Sequence, residues 1–556
     1  MNGARSALPC LTALALAAGA RAADFPIGDY GATADGALCT AAIAAAMSAA
    51  QADGGGRIVV PAGRWTTGPV RFRSNCELHL AKGAELLFTD DLQEYLPGVR
   101  VSWEGVECYN VSPLVYAFGC TNVAITGTGT LKAKPDFWWS WAGPRKPDCE
   151  VANRLLKDVW SPKNVPVAER QLWKEPNARF RPHFLHFNRC RGVRLEGFSI
   201  RGAPFWTVHL FLCSDVTVRG LDIDATCDDG RMINNTDGID IEATRDVLVE
   251  RCRFSQGDDA IVLKAGKDFD GRRLATSTEN VVVRDCTVRR AHNLVAVGSE
   301  LSGGVRNVRI SNCRIVGTVS ELLHVKTNPR RGGFVENVVI DGVVAEELRT
   351  RLFGLTSRYY FGAPGEEALP EDHFTPIRGI VLRNIRCRKA RRMLDLRGDY
   401  LLPVENVTLE NVVVGQVEDA DYVANVVNLR VDGHVVPETV SAKRAHELGL
   451  SEADKAVWQP ETREYLMAFT DGTPRGTAVR RSRDLKLWSD PVPAFCPDDW
   501  EAAEYRTASV RSPVIRRTPK GWCLDAEFAD GRRSFSTPET FWPFRTESYW
   551  RKVGRQ

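Results

Sequence analysis

Asp237, Asp258 and Asp259 are the residues of this chain whose types and spacing point most directly to chemistry. They lie in NNTDGIDIEATRDVLVERCRFSQGDDAIVLKAG, residues 234 to 266, with His292 and Lys326 further along. Carboxylates brought close together repel, which raises the pKa of one and lets it keep a proton to donate. An acid, a carboxylate base and a neighbouring imidazole and ammonium are the parts needed to cleave a glycosidic bond. The bland alternative is that each Asp caps a turn between strands. The choice depends on whether the fold stacks these residues.

A recurring pattern says that it does. RGVRLEGF, SDVTVRGL, RDVLVERC, ENVVVRDC, RNVRISNC, ENVVIDGV, RGIVLRNI and ENVTLENV centre on Val193, Val216, Val247, Val281, Val308, Val338, Ile380 and Val407, at gaps of 23, 31, 34, 27, 30, 42 and 27 residues. Apolar side chains alternate within each copy, and Gly, Asn, Asp and short β-branched runs fill the gaps instead of helices. The expected fold is all-β: a right-handed parallel β-helix, or solenoid, over 23–440, with an N-terminal cap and a small C-terminal β-rich module over 441–556.

Four segments then align as successive coils: TDGIDIE (236 to 242), DDAIVLK (258 to 264), HNLVAVG (292 to 298) and SELLHVK (320 to 326). Ile239, Ile261, Val295 and Leu323 form one inward row, and Ile241, Leu263, Val297 and Val325 another. Asp237, Asp259 and Asn293 share a column, Asp258 and His292 share its neighbour, and Lys326 follows Glu242 and Lys264 in a third. Strand spacing of about 4.8 Å makes the acids a cluster, with Lys326 as a compensating charge.

The rest of the chain sets the context. A net charge of +3, with 44% apolar and 26% charged residues, gives no reason to expect a nucleic-acid partner. Residues 1–22 carry Arg5, an Ala/Leu run and a small-x-small site, the marks of a signal peptide, so a secreted or periplasmic monomer without a membrane span is expected. Cys252, Cys286 and Cys313 each fall five residues after a central Val and are expected as an interior row of thiols rather than disulfides. An insertion at about 134–182, with FWWSW at 137 to 141, Trp160 and Trp173, and the loop 361 to 376 are expected to wall one end of a cleft.

These motifs resemble the polygalacturonase family of glycoside hydrolases, family 28, from about residue 25 to 435. The marks are NTD at 235 to 237, GDD at 257 to 259, the His292 segment ending in GSE, GGVRNV at 303 to 308 and KTNPRRGG at 326 to 333. The resemblance implies hydrolysis of galacturonide linkages in a pectic polysaccharide with inversion and without cofactor or metal. It implies Asp258 as general acid, Asp237 and Asp259 as the groups that hold and deprotonate water, and His292 as the residue that tunes the acid. Lys326 would grip a substrate carboxylate, and Tyr359 or Tyr360 would touch the sugar. Inversion calls for about 6.5–9.5 Å between acid and base.

Two departures qualify the sugar. The family's Arg-x-Lys reads His324-Val325-Lys326, so the planar guanidinium fork is missing. The glycines flanking the family's histidine are Ala291 and Asn293. Arg330 is a candidate to compensate. Action at chain ends, a rhamnogalacturonan or rhamnosyl linkage, a Ca²⁺-dependent pectate-lyase-like elimination and a non-catalytic glycan-binding solenoid all remain as alternatives. The tail, with its S-x-D-L-x-x-W pattern, resembles blades of five-bladed propeller glycosidases but has length for about two at most, and is expected to dock on or cap the solenoid.

Overall fold

The residue before the central apolar position is Asn, Asp or Gly because the backbone turns there into the left-handed region. Asp246, Asn280, Asn307, Asn337 and Asn406 have φ between 54° and 58°. Their amides also bond along the stack: Asn280 Nδ2 donates to Asp246 Oδ1 at 3.0 Å, Asn307 to Asn280 at 3.3 Å and Asn337 to Asn307 at 3.0 Å. Asn307→Ala is expected to cost about 1–2 kcal/mol, from the left-handed strain and the lost bonds. A lower urea midpoint with unchanged kcat checks this.

The computed structural model describes residues 23–435 except 142–146, 363–368, 370, 400 and 420, and beyond them seven strands between 457 and 537. The expected leader, residues 1–22, lies outside the described residues. Thr40–Ala52 is a helix that buries Ile43, Ala46, Met47 and Ala50 against the first coils, forming the N-terminal cap. The chain then winds as a right-handed parallel β-helix. One coil supplies strands Val208–Phe211, Ser214–Arg219 and Asp222–Asp224, and the next supplies Ile239–Glu242, Arg245–Glu250 and Arg253–Ser255, paired parallel and in register.

Alternation explains why the coils stack in one register. Val193, Val216, Val247, Val281, Val308, Val338, Ile380 and Val407 pair in sequence along the interior, all of them buried. A one-residue slip would turn every member outward, losing roughly 1.5–3 kcal/mol of burial per side chain. Cys252, Cys286 and Cys313 are buried free thiols, as expected. A second interior row, Cys120, Cys190 and Cys213, is also buried as thiols and continues into Thr244, whose Oγ1 accepts from Cys213 N at 3.0 Å.

The insertion is helical, with Pro135–Trp139, Pro147–Asn153 and a π-helical turn Arg154–Trp160. Of the two roles open to its tryptophans, sugar stacking or core packing, Trp138, Trp139, Trp141 and Trp160 take the second: all four are buried, while Trp173 is half-buried. Trp138 and Trp141 pack into the main core, and Trp160 joins Trp103, Phe180, Phe205 and Trp206 in a second small core on the outside of the solenoid. An antiparallel hairpin, Val99–Trp103 with Val106–Asn110, lies in that layer. Beyond 435 the described strands pair antiparallel among themselves, Val457–Gln459 through Val492–Pro493 in one sheet and Arg511–Thr518, Gly521–Phe528 and Gly531–Thr537 in another. Among the described residues no helix is long and apolar enough to cross a membrane.

Candidate active site

The aligned columns stand side by side in space. Ile239, Ile261, Val295 and Leu323 pair in register, as do Ile241, Leu263, Val297 and Val325. One step before each strand, Gly238 N donates to Asp259 O and Ala260 N to Asn293 O, both near 2.9–3.0 Å. The next pairing is Asn293 with Glu321, so the acid column reads Asp237, Asp259, Asn293, Glu321. Gly257 lets these turns approach, since a Cβ there would strike the backbone of Ile233 and the Thr236 hydroxyl.

Each carboxylate has its own surroundings. Asp258 Oδ1 accepts from His292 Nδ1 and from Asp259 N, both at 3.1 Å, while Oδ2 accepts from Asn235 N at 2.8 Å. Asp259 accepts from Asn293 Nδ2 at 2.5 Å and from Lys326 Nζ at 3.1 Å. Asp237 is 4% exposed and its Oδ1 has no partner. Burial, then the negative charges of Asp240, Asp258 and Asp259, push its pKa well above the carboxylate range, against the pull of Lys264. Burial also pushes Asp258 up, but the His292 hydrogen bond and the His292 and Lys326 charges outweigh it and hold the group at about 2. Of the two, Asp237 is the carboxyl whose surroundings favour holding a proton.

His292 is raised from 6.5 chiefly by its bond to Asp258. The lowered Asp258 stabilises the fold above pH 3.8 and loses that as pH falls towards 2; the raised His292 stabilises it below pH 6.5 and loses that as pH rises through its folded value. His292→Ala should therefore lower Tm most between pH 3.8 and 6.5, and a Tm series across pH checks it.

These groups line one cleft of about 630 Å³, bounded at one end by Glu104, Lys157 and Trp206 and at the other by Thr350, Tyr359 and Tyr360. That is room for a few sugar rings. The near wall is the tip of the hairpin, where Gly105 O accepts from Lys267 N at 2.9 Å and Glu104 pairs with Lys157 at 2.6 Å. Tyr359 and Tyr360 both reach the cleft. Tyr359 lies with Lys326 Nζ 5.7 Å from its ring centroid, and Tyr360 is 66% exposed. His324 lines the floor and is 8% exposed.

Arg330 is a correction. It does not line the cleft: its guanidinium sits 3.1 Å from Asp268, which also binds Arg331. The loop after Lys326 turns these side chains under the helix Asp268–Leu274, and 5% exposure leaves Arg330 no access to substrate. Sequence reasoning passed over several cleft residues. Lys264 is buried between Glu300, 2.7 Å away, and the Trp206 ring at 4.5 Å. Burial opposes its charge, but Glu300, Asp240 and Asp237 keep it protonated. Glu321 was visible in the aligned SELLHVK, one column beside Ser320, yet drew no attention.

Beside the acids, His186, His209 and Asp240 follow one another in register on the cleft-facing side. His183, His186 and His209 cluster with ring centroids 4.6–4.9 Å apart. Burial holds all three neutral. Glu242, which accepts from Ser102 at 3.0 Å and meets His209 Nε2 at 2.8 Å, is pushed up to about 8 by burial and Glu300.

Known proteins share this architecture. The family model for glycosyl hydrolases family 28 matches residues 168–432. A probable polygalacturonase of Vitis vinifera is 25% identical over 69% of this chain and 73% of its own length. The crystal structure of a polygalacturonase from Erwinia carotovora superposes with a TM-score of 0.54 at 19% identity, over 74% of this chain and 97% of that one, a likeness of fold. That of a hyperthermoactive exopolygalacturonase from Thermotoga maritima superposes with a TM-score of 0.67 at 32% identity, over 74% of this chain and 93% of that one. With its solenoid, its clustered acids and that degree of identity, the chain belongs to family 28 of the glycosyl hydrolases and is a glycoside hydrolase.

Proposed function

We propose that this enzyme hydrolyses galacturonide linkages of pectic polysaccharide with inversion, working from chain ends outside the cytoplasm. The observation that carries it is the convergence of Asp237, Asp258 and Asp259 on one cleft, where the paired Glu104 and Lys157 also stand in the lining. A wall built by that pair would admit a terminal sugar and stop a continuing chain. The likeness to the Thermotoga maritima exopolygalacturonase supports the same reading, and the leader-like residues 1–22 support export.

In this mechanism Asp258 gives its proton to the glycosidic oxygen as the C1–O bond breaks. Water attacks C1 from the opposite face, and Asp237 with Asp259 orients it and takes its proton. Asp237 and Asp258 belong to one titrating group, with the charge of Asp258 helping to raise Asp237. The reactive state has the proton on Asp258 and an ionised Asp237, and the 3.1 Å contact with His292 gives Asp258 a proton source. The order of pKa values in the empty cleft favours a second reading, with Asp237 as acid and Asp258 as base.

A Ca²⁺-dependent elimination fits less well. Asp258, Asp259 and His292 are close enough to meet one ion, but Ca²⁺ takes six to eight oxygens. Here Lys326 and His292 already sit against the two carboxylates. The test is digestion of polygalacturonate: reducing ends should appear with little fall in viscosity, and NMR should find the β-anomer first. Chelator-sensitive unsaturated ends would establish the lyase instead, a rapid fall in viscosity would establish internal cleavage, and an α-anomer would rule out inversion.

A further inference from the structure

We propose that His183, His186 and His209 form a buried binding site for one nitrogen-seeking divalent transition ion of the zinc class, separate from the acid cluster. The ion's work there is structural: it ties two coils together and takes no part in bond cleavage, since none of the three histidines is among the residues lining the cleft.

The imidazoles come from neighbouring coils. His186 and His209 pair on the strands Leu185–Asn188 and Val208–Phe211, and His183 stands just before the first of these. All three are at most 1% exposed. Their ring centroids, 4.9, 4.6 and 4.7 Å apart, make a nearly equilateral triangle, as rings gathered about a common point do. One ligating atom from each lies within 4.8 Å of the others. Zinc–nitrogen bonds of about 2.0–2.1 Å draw those atoms inward, a movement that small ring rotations supply.

What marks the trio as a site is what its nitrogens lack. His183 Nε2, His186 Nδ1 and His209 Nδ1 are buried with no hydrogen-bond partner, and aromatic rings close around them: Phe205 lies 5.3 Å from His183 and Tyr116 6.0 Å from His186. Each buried nitrogen without a partner costs stability, and one ion removes all three costs together. Packing does not call for histidine here, because further along the same column the fold is content with Val262 and Ala296.

The surroundings suit a dication. His209 Nε2 lies 2.8 Å from Glu242 Oε2, and a ligating histidine commonly gives its other N–H to a carboxylate, which leaves the facing nitrogen for the metal. Asp240 follows His209 in register, and both its oxygens, like Glu242 Oε1, are without a partner. By themselves these carboxyls are raised by burial; a dication beside them draws both back to the charged form, with protons released on binding. His186 Nε2 faces Asn188 Nδ2 at 3.2 Å, so ligation through Nδ1 turns that amide to offer its oxygen. Nitrogen donors select Zn²⁺, Ni²⁺ or Cu²⁺ over Ca²⁺ and Mg²⁺. Trp206 lies edge-on to His183 and His209, at 5.7 and 5.1 Å, and also lines the cleft, so it covers the trio and the ion enters as the chain folds.

The test uses the full-length protein expressed with Zn²⁺ in the medium and passed over a chelating resin. Metal analysis should find about one Zn²⁺ per chain, and X-ray absorption at the zinc edge should show imidazole nitrogens at about 2.0–2.1 Å. The wild type should melt lower in chelator. His183→Gln with His186→Gln should lose the ion and melt at one temperature with or without chelator. Glu242→Gln should weaken retention by about 10–100-fold, whereas His292→Ala, a change in the acid cluster, should keep the ion. A wild type that carries no Zn²⁺ assigns the three nitrogens to a buried water and overturns the inference. So does zinc ligated mainly by oxygen, or zinc lost with His292→Ala and kept in the double histidine variant. The absorption spectrum of the wild type decides even where the double variant fails to fold.

Discussion

Asp258→Asn is expected to lower kcat on a galacturonide with an ordinary sugar leaving group by about 10²–10⁴-fold, the contribution of a general acid. An amide keeps the shape and can still meet His292, but it cannot supply the proton that the departing oxygen needs. On α-galacturonosyl fluoride, whose leaving group departs unprotonated, the same variant should retain most of its turnover. Asp237→Asn should fail on both, because the attacking water still needs its base. Rates on the two substrates for both variants settle which carboxylate is which. If instead Asp237→Asn keeps the fluoride reaction and Asp258→Asn loses it, the roles are exchanged and the second reading is correct.

Asp237→Asn carries a second large effect, on stability. Burial and three acidic neighbours raise the pKa of Asp237 well above 3.8, so holding it ionised opposes folding. A raised carboxyl costs nothing below its unfolded value, where it is neutral in both states, and costs progressively more as pH climbs to the folded value. The amide never ionises. The variant should thus melt above the wild type at pH 8 and converge with it near pH 4, while its activity is lost. A Tm series over that range checks the sign; a variant that melts lower at pH 8 would mean that Asp237 is held ionised by contacts stronger than its repulsions. Strain of this kind is what a site accepts in order to keep acids together.

Much of this was legible in the chain, and the reason is periodicity. Alternating Val, Ile and Leu put Asp237, Asp258, Asp259 and His292 in adjacent columns, and the pairings of Ile239, Ile261, Val295 and Leu323 bear that alignment out. The thiol row followed from the same count. Where the chain leaves the repeat, the count carries nothing. Arg330 looked available because KTNPRRGG has no register, and its partner Asp268 comes from a helix 62 residues earlier. The insertion's tryptophans could have been a sugar platform or core, because composition does not tell a packed ring from an exposed one. The cleft is lined there by Glu104 of the antiparallel hairpin, invisible to a search for the repeat, together with Lys157 of the insertion.

The alternation of side chains along each strand has one more consequence. Leu323 and Val325 point into the core while His324 and Lys326 point into the cleft, so neighbouring residues answer to separate demands. A change at 324 leaves the rows that hold the coils together untouched, and each coil touches only those above and below. Substrate preference in such a molecule can be rewritten on the cleft side of a rung beside a fixed set of acids, and His324 is the floor position where this applies.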